Sequence, residues 1–236
     1  KADWAFGAGE QAVTFVTQRD DEHYVELGLS WYAATNSLAL TPGHRHERGE
    51  IYRTFDPNIS ILRCFQCHST GPLVLAGGYR VQPSEAGVQC ETCHGPGLAH
   101  ASKQEAIRNP KRLSAGEVNQ LCGDCHRKPA ASGDDTDWSN PWNTRHQPLY
   151  LAESACFRKS KDRLTCFTCH TPHQAMSRDA GFYGKICASC HARPRHLAAT
   201  AKSGGSCVSC HMPVVRPQEN LGFANHWIGN TVQENR

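Results

Sequence analysis

Twelve of the 13 cysteines in this 236-residue chain fall into one pattern, Cys-x-x-Cys-His. It occurs at Cys64/Cys67/His68, Cys90/Cys93/His94, Cys122/Cys125/His126, Cys166/Cys169/His170, Cys187/Cys190/His191 and Cys207/Cys210/His211. Two thiols at this spacing can add to the two vinyl groups of one haem, and the histidine that follows then reaches the iron. Each occurrence therefore reads as one covalently held haem, giving six haem c groups. Competing chemistries explain less. Structural zinc uses Cys-x-x-Cys pairs but gives no reason for a histidine after every second cysteine. A disulfide framework leaves the same histidines unexplained, and a thioredoxin-like redox motif occurs once, beside a βαβ pattern.

Eight histidines remain after the six motif residues: His23, His44, His46, His100, His146, His173, His196 and His226. Met176 and Met212 are the only thioethers, and Met212 directly follows its own proximal His211, badly placed for the opposite face of that haem. Bis-histidine ligation should therefore dominate. Imidazole gives iron more electron density than a thioether does, so a low-potential set is expected. His173 follows His170 by three residues and His100 follows His94 by six, spacings that can project an imidazole towards a neighbouring haem. His196 precedes the last motif and His226 follows it, beside Trp227. With His44 and His146 these make six second ligands, and the choice among His23, His44, His46 and His146 stays open. The odd thiol, Cys156, reads as a buried small residue, with an intermolecular disulfide as the sharper alternative.

The elements that must position these groups are short. Residues 12 to 33 alternate in the manner of strands, with Val25, Leu27, Leu29 and Trp31 on one face and the polar run from Arg19 to Glu22 as a turn. A small N-terminal β-hairpin is predicted. Thr41-Pro42-Gly43 breaks the chain before His44 and His46, which places both on a loop. Beyond it the signals are helical. Ser114 to Glu117 has the capping-box form and leads to the Cys122 motif; helices are also predicted over Gln147 to Phe157 and Arg178 to Ser189. First cysteines are separated by 26, 32, 44, 21 and 20 residues, too irregular for a stacking repeat. The expected fold is that of a multihaem cytochrome c, mainly short α-helices and irregular loops wrapped around stacked haems. Residues 1–50 form an N-terminal extension packing on a hexahaem domain over 51–236.

Composition agrees. Hydrophobic residues make up 39% and mean hydropathy is −0.56, lean for a chain that must build its own core. Apolar porphyrin faces would supply what is missing. The formal charge of +3 omits the cofactors; each ferric bis-histidine haem with ionised propionates adds about −1, moving the total to about −3. The basic balance is thus no argument for nucleic acid, and the cluster Arg158, Lys159, Lys161 and Arg163 reads as a solvated loop. No run approaches 18 apolar residues, so no transmembrane segment is expected. The chain begins at Lys1 without an apolar signal core and reads as a mature chain whose leader was removed, for a periplasmic or extracellular location.

The runs CETCHGPGLAH from Cys90 to His100, CFTCHTPH from Cys166 to His173, CVSCHMP from Cys207 and Asn225-His226-Trp227-Ile228 resemble multihaem cytochromes related to the tetrahaem electron acceptor of hydroxylamine oxidoreductase. They resemble still more the hexahaem domains often joined to tetratricopeptide repeats, although this chain carries no repeat array. The resemblance spans roughly residues 10 to 230. It implies that His100 and His173 are distal ligands and that haem attachment takes place outside the bacterial cytoplasm. The function it implies is electron transfer, as a shuttle or in a longer conduit, with redox proteins as donors and acceptors. The alternative is a reductase or oxidase of a small nitrogen or sulfur compound at an open haem. A further alternative concerns assembly: surplus histidines in the N-terminal extension could ligate a haem of another copy and join chains into a filament.

Overall fold

The computed structural model describes residues 1–19, 23–44, 52–55, 61–77, 80–129, 131, 136–192 and 206–229, with 52–55 as backbone. His46 and His196 lie outside the described residues. The chain divides into two compact units, Lys1–Asn109 with Gln218–Gly222, and Pro110–Pro217 with Phe223–Arg236. The first two motifs share a unit with the N-terminal strands.

In the first unit, the predicted hairpin is present as β2 (Ala12–Gln18) and β3 (Tyr24–Leu27), and it belongs to a six-stranded antiparallel sheet. β4 (Leu29–Tyr32) continues the pairing with β2 at Ala12 and Val13, β5 (Ser37–Leu40) pairs with β4, and β6 (Tyr52–Phe55) with β3; β1 (Trp4–Phe6) also pairs with β2. The buried face of β3 and β4 differs from the one predicted. Tyr24, Ser30 and Tyr32 are fully buried; of the predicted face Val25 is buried too, whereas Leu29 is 52% exposed. The reason is that each buried polar tip has a partner. Tyr24 Oη accepts the Val81 N–H at 2.7 Å, Ser30 Oγ bonds to Thr14 and Thr41, both at 2.9 Å, and Tyr32 Oη donates to the Leu40 carbonyl. A satisfied tyrosine buries its large ring at little polar cost. Tyr24→Phe leaves the buried Val81 N–H unpaired. It is expected to cost about 1–3 kcal/mol, read as a lower urea midpoint by circular dichroism. An unchanged midpoint would remove this bond from the account.

Gln218 completes the same unit from far along the chain. Its Nε2 donates to Tyr32 Oη at 3.1 Å and to the Leu40 carbonyl at 3.0 Å, and its Oε1 accepts the Gly43 N–H at 3.2 Å. The core of the unit is Val16, Tyr24, Ile61, Phe65 and Val81, with Trp4, Phe6, Leu62, Cys64 and Leu73 packed against it. Phe65 and Cys64 sit in α1 (Leu62–His68), so the first motif is built into the core. A hairpin of β7 (Ser69–Ala76) and β8 (Arg80–Ala86) then joins α1 to α2 (Cys90–His94). This hairpin corrects the expectation of helices throughout this stretch. Its register shifts between Thr70 and Leu73, where Gly71 takes a φ of +78° that a side chain would strain.

The second unit is helical. α4 (Ala115–His126) starts at the predicted capping box, with Ser114 and Glu117 bonded reciprocally, and ends on the third motif. The predicted helix from Gln147 is two, α5 (Gln147–Ala152) and α6 (Ala155–Lys159), separated at Glu153 and the fully buried Ser154. α7 (Cys166–Cys169), α8 (Ala180–Ala188) and α9 (Cys207–His211) carry the remaining motifs. β9 (Val214–Val215) pairs with β10 (Phe223–Ala224). Among the described residues no helix is long and apolar enough to cross a membrane.

Candidate haem sites

Every motif starts on or beside a short helix, and its histidine stands at or just beyond the helix end. Cys and His are thereby presented within one or two turns, on a backbone the helix makes rigid. None of the 13 cysteines is in a disulfide. In the first unit, the motifs of α1 and α2 are tied through β7: Thr70 Oγ1 bonds to Thr92 Oγ1 at 2.7 Å and accepts the Gln89 N–H at 2.8 Å. After His94 the Gly-Pro-Gly turn bends the chain. Gly95 has a φ of +75°, and Gly97 N–H donates to Glu91 Oε1 at 2.6 Å. The turn leads into α3 (Leu98–Ala101), which carries His100.

In the second unit the motif thiols of successive helices approach one another. Cys166 donates to Cys122, which lowers the Cys122 pKa and raises that of Cys166, and Cys166 Sγ also lies 3.8 Å from Asn119 Oδ1. Burial, followed by the Cys207 charge, raises the Cys187 pKa, and a hydrogen bond to Cys207 adds to it. Cys169 is pushed up to about 11 by burial and then by Cys187 and Cys156. Motifs three to six are thus linked pairwise. Cys156, on α6, sits half-buried beside them with its thiol pushed up by burial, an environment that disfavours the reactive thiolate.

These links run mainly through first cysteines, and the second cysteines of the motifs are placed differently. Cys125, Cys190 and Cys210 are exposed, as is the first cysteine Cys90, while Cys67 and Cys93 are half-buried. Cys190 and Cys210 each have the hydroxyl of the preceding serine at 3.9 Å, Ser189 and Ser209 respectively. The predicted ligands also do not gather as a conventional metal site would require. Among the described residues no three His, Cys, Asp or Glu side chains converge on one metal-sized point, so Cys93, Cys125, Cys190 and Cys210 belong to no such cluster. Haem iron needs none, because the porphyrin supplies its equatorial nitrogens and the protein only the axial ligands.

The histidines test whether haem fits. A ligating imidazole usually donates its other nitrogen to a carbonyl, which fixes the tautomer and ring direction. Four do so here. Nδ1 donates from His94 to Arg108 O at 2.8 Å, from His100 to Glu105 O at 3.3 Å, from His211 to Gly229 O at 2.7 Å and from His226 to Ala224 O at 2.9 Å. Each leaves Nε2 as the lone-pair nitrogen. His146, at the start of α5, has a buried Nδ1 with no hydrogen-bond partner, the condition a metal bond would satisfy. Its pKa is depressed to about 4 by burial and then by Arg145, Arg127 and His126. His170 is likewise lowered by burial, and His226 falls to about 4 for the same first cause. Neutral imidazole is the form that binds iron. Val88, Leu98, Met176 and Phe182, exposed beside the motifs, are apolar surface of the kind a porphyrin face covers. The donor set, its tautomers and this apolar surface fit haem c.

Other predicted residues stand apart. His44 Nε2 is 2.8 Å from Glu26 Oε2 in a largely buried pair, so ligation through that nitrogen would break it. His173 is exposed, as are His68, His126 and His191. Arg158, in the last turn of α6, pairs with Glu153 at 3.1 Å, and Arg163 Nε donates to Ser160 O at 3.1 Å, so two of the four basic residues have partners within the same stretch of chain. Sequence reasoning missed the carbonyls of Arg108, Glu105, Ala224 and Gly229. Backbone acceptors carry no residue signature. It missed Asn119 and Ser154 as well, whose roles depend on distant partners.

Residues 30–95 match the family described as cytochrome c554 and c-prime, and residues 82–131 match the doubled CXXCH motif. With the site geometry, these matches define the chain as a multihaem c-type cytochrome. Its relatives include multiheme cytochrome MtrA of Shewanella baltica, 26% identical over 171 residues that cover 63% of this chain and 51% of that protein. Dissimilatory sulfite reductase MccA of Wolinella succinogenes is 25% identical over 175 residues, covering 57% of this chain and 23% of that protein. The crystal structure of outer cell wall cytochrome OcwA shares the fold, with a TM-score of 0.56 at 17% identity over 94% of this chain and 66% of that one. The chain therefore spans about half the length of MtrA and under a quarter of MccA.

Proposed function

We propose that the chain transfers electrons through six covalently bound c-type haems, one per motif, in a periplasmic or outer-surface setting, as a shuttle or as part of a longer conduit. The observation that carries this reading is the set of six Cys-x-x-Cys-His motifs, each on or beside a short helix that presents its thiols and histidine together. The proposed attachment pairs are Cys64 with Cys67, Cys90 with Cys93, Cys122 with Cys125, Cys166 with Cys169, Cys187 with Cys190 and Cys207 with Cys210. When loaded, each haem iron accepts and releases one electron. The chain's part is to hold the attachment points close together, exclude water and present neutral imidazoles. The proposed second ligands are His100, His146, His173, His196 and His226, with the sixth from His23, His44 and His46. Kinship with the hexahaem group rests on the six motifs and the phrases around them. Redox proteins are the proposed partners, and further copies of the chain are the alternative.

The match to a sulfite reductase favours a second reading, reduction of a small sulfur or nitrogen compound at an iron without a distal histidine. One preparation separates the two. The mass of the matured chain should show six haems, the ferric spectrum should be wholly low-spin and unchanged by cyanide, and every midpoint should be low. Fewer haems, or midpoints that are all high, would overturn the first reading. A high-spin fraction that shifts on adding sulfite would establish the second.

A further inference from the structure

The short C-terminal run from Ala224 to Gly229 is tied down more firmly than its irregular backbone implies. Ser154, fully buried between α5 and α6, donates from Oγ to the His226 carbonyl at 2.6 Å and accepts the Ile228 N–H at 2.8 Å. Asn225 Oδ1 accepts the Trp227 N–H at 2.9 Å. The Trp227 ring meets Trp138 edge-on at 5.1 Å, and Trp138 meets Tyr150 at the same separation. With Nδ1 held on Ala224 O, the His226 ring is fixed in position and tautomer.

That ring faces His170. Their centroids are 6.2 Å apart and their planes are inclined by 33°. Two imidazoles that bind one iron from opposite sides, each at about 2 Å, have centroids about 6 Å apart. The separation of His170 and His226 matches that span, and the bond from His226 Nδ1 to Ala224 O leaves its Nε2 as the nitrogen able to bind iron. Resting on the haem reading above, we propose that His226 is the sixth ligand of the haem attached at Cys166 and Cys169, opposite His170. The ligand thus comes from beyond the last motif, 56 residues after the proximal histidine it opposes.

The test uses the full matured chain. His226→Ala should keep all six haems by mass while one becomes high-spin in the ferric spectrum, and on reduction it should bind a single CO where the parent binds none. Adding imidazole should restore the low-spin spectrum. In a Cys166→Ala/Cys169→Ala background, which lacks that haem, His226→Ala should add no CO binding. An H226A protein that stays low-spin with six haems overturns the assignment while leaving the electron-transfer reading intact, and so does extra CO binding in the cysteine-variant background. Failure of the parent to take up haem would instead sink the reading itself. If the double-cysteine variant does not fold, a structure of the loaded parent decides the point, and a His226 nitrogen on any other iron overturns the proposal.

Discussion

Phe65→Ala is expected to lower stability by about 3–5 kcal/mol, the range for removing a fully buried aromatic. Phe65 is 1% exposed, and its ring is met edge-on by Trp4 at 4.8 Å and Phe6 at 5.1 Å. Each such pair contributes about 0.5–1.5 kcal/mol beyond area burial. The residue also stands between Cys64 and Cys67, so the same change loosens the helix that presents the first pair of thiols. Two readouts are expected to move together. The chemical-denaturation midpoint of the first unit should fall, and mass spectrometry should show a population lacking the haem at Cys64 and Cys67. Full attachment with an unchanged midpoint would separate the motif from the core.

Asn119→Ala is expected to cost about 2–4 kcal/mol, combining an unsatisfied buried acceptor with a small cavity. Asn119 is 1% exposed on α4; its Nδ2 donates to Pro148 O at 3.1 Å on α5, and its Oδ1 faces Cys166 Sγ at 3.8 Å on α7. One amide therefore ties three helices at the point where the third and fourth motifs meet. Urea unfolding of the matured protein should begin at lower concentration. Asn119→Asp should fare no better, because a carboxylate cannot donate to Pro148 O. Equal stability of parent and alanine variant would show that the thioether-linked helices need no such tie.

Local chemistry explains what could be read in advance. The motifs are legible because attachment demands a fixed spacing within five residues. The depth of each thiol is not, so nothing in the repeated pattern distinguishes the half-buried Cys93 from the exposed Cys125, Cys190 and Cys210. The α4 terminus is legible because Ser114 and Glu117 satisfy one another within a single turn. The β7/β8 hairpin was hidden by Pro72 and Pro83, which argue against strand. The structure accommodates them in a two-stranded ribbon, with Pro83 opposite Leu73 just past the register shift. The break inside Gln147 to Phe157 was hidden because periodicity runs straight through Ser154. Only the distant His226 and Ile228 show why that serine leaves the helix. The buried tyrosine face of β3 and β4 was misread for the same reason. Val25, Leu27, Leu29 and Trp31 look more apolar than Tyr24, Ser30 and Tyr32 until the hydrogen bonds are known. His226 stood out in the sequence as a candidate ligand from its surplus status, whereas its closeness to the His170 ring needed tertiary structure.

The contacts of Gln218 with Tyr32, Leu40 and Gly43 span 186, 178 and 175 residues. The sheet of the first unit is therefore finished by a residue that follows all six motifs along the chain. Tyr32 Oη and the Leu40 carbonyl can bond to one another as soon as β4 and β5 are made, but the Gln218 amide that both also share emerges only after all six motifs. Such late closure is slow, since a long loop must be drawn in before any contact rewards it. The motifs at Cys64 and Cys90 thus both precede, along the chain, the residue that closes their sheet. A fragment ending at Asn109 would keep both of those motifs and lack the side chain that seals their sheet.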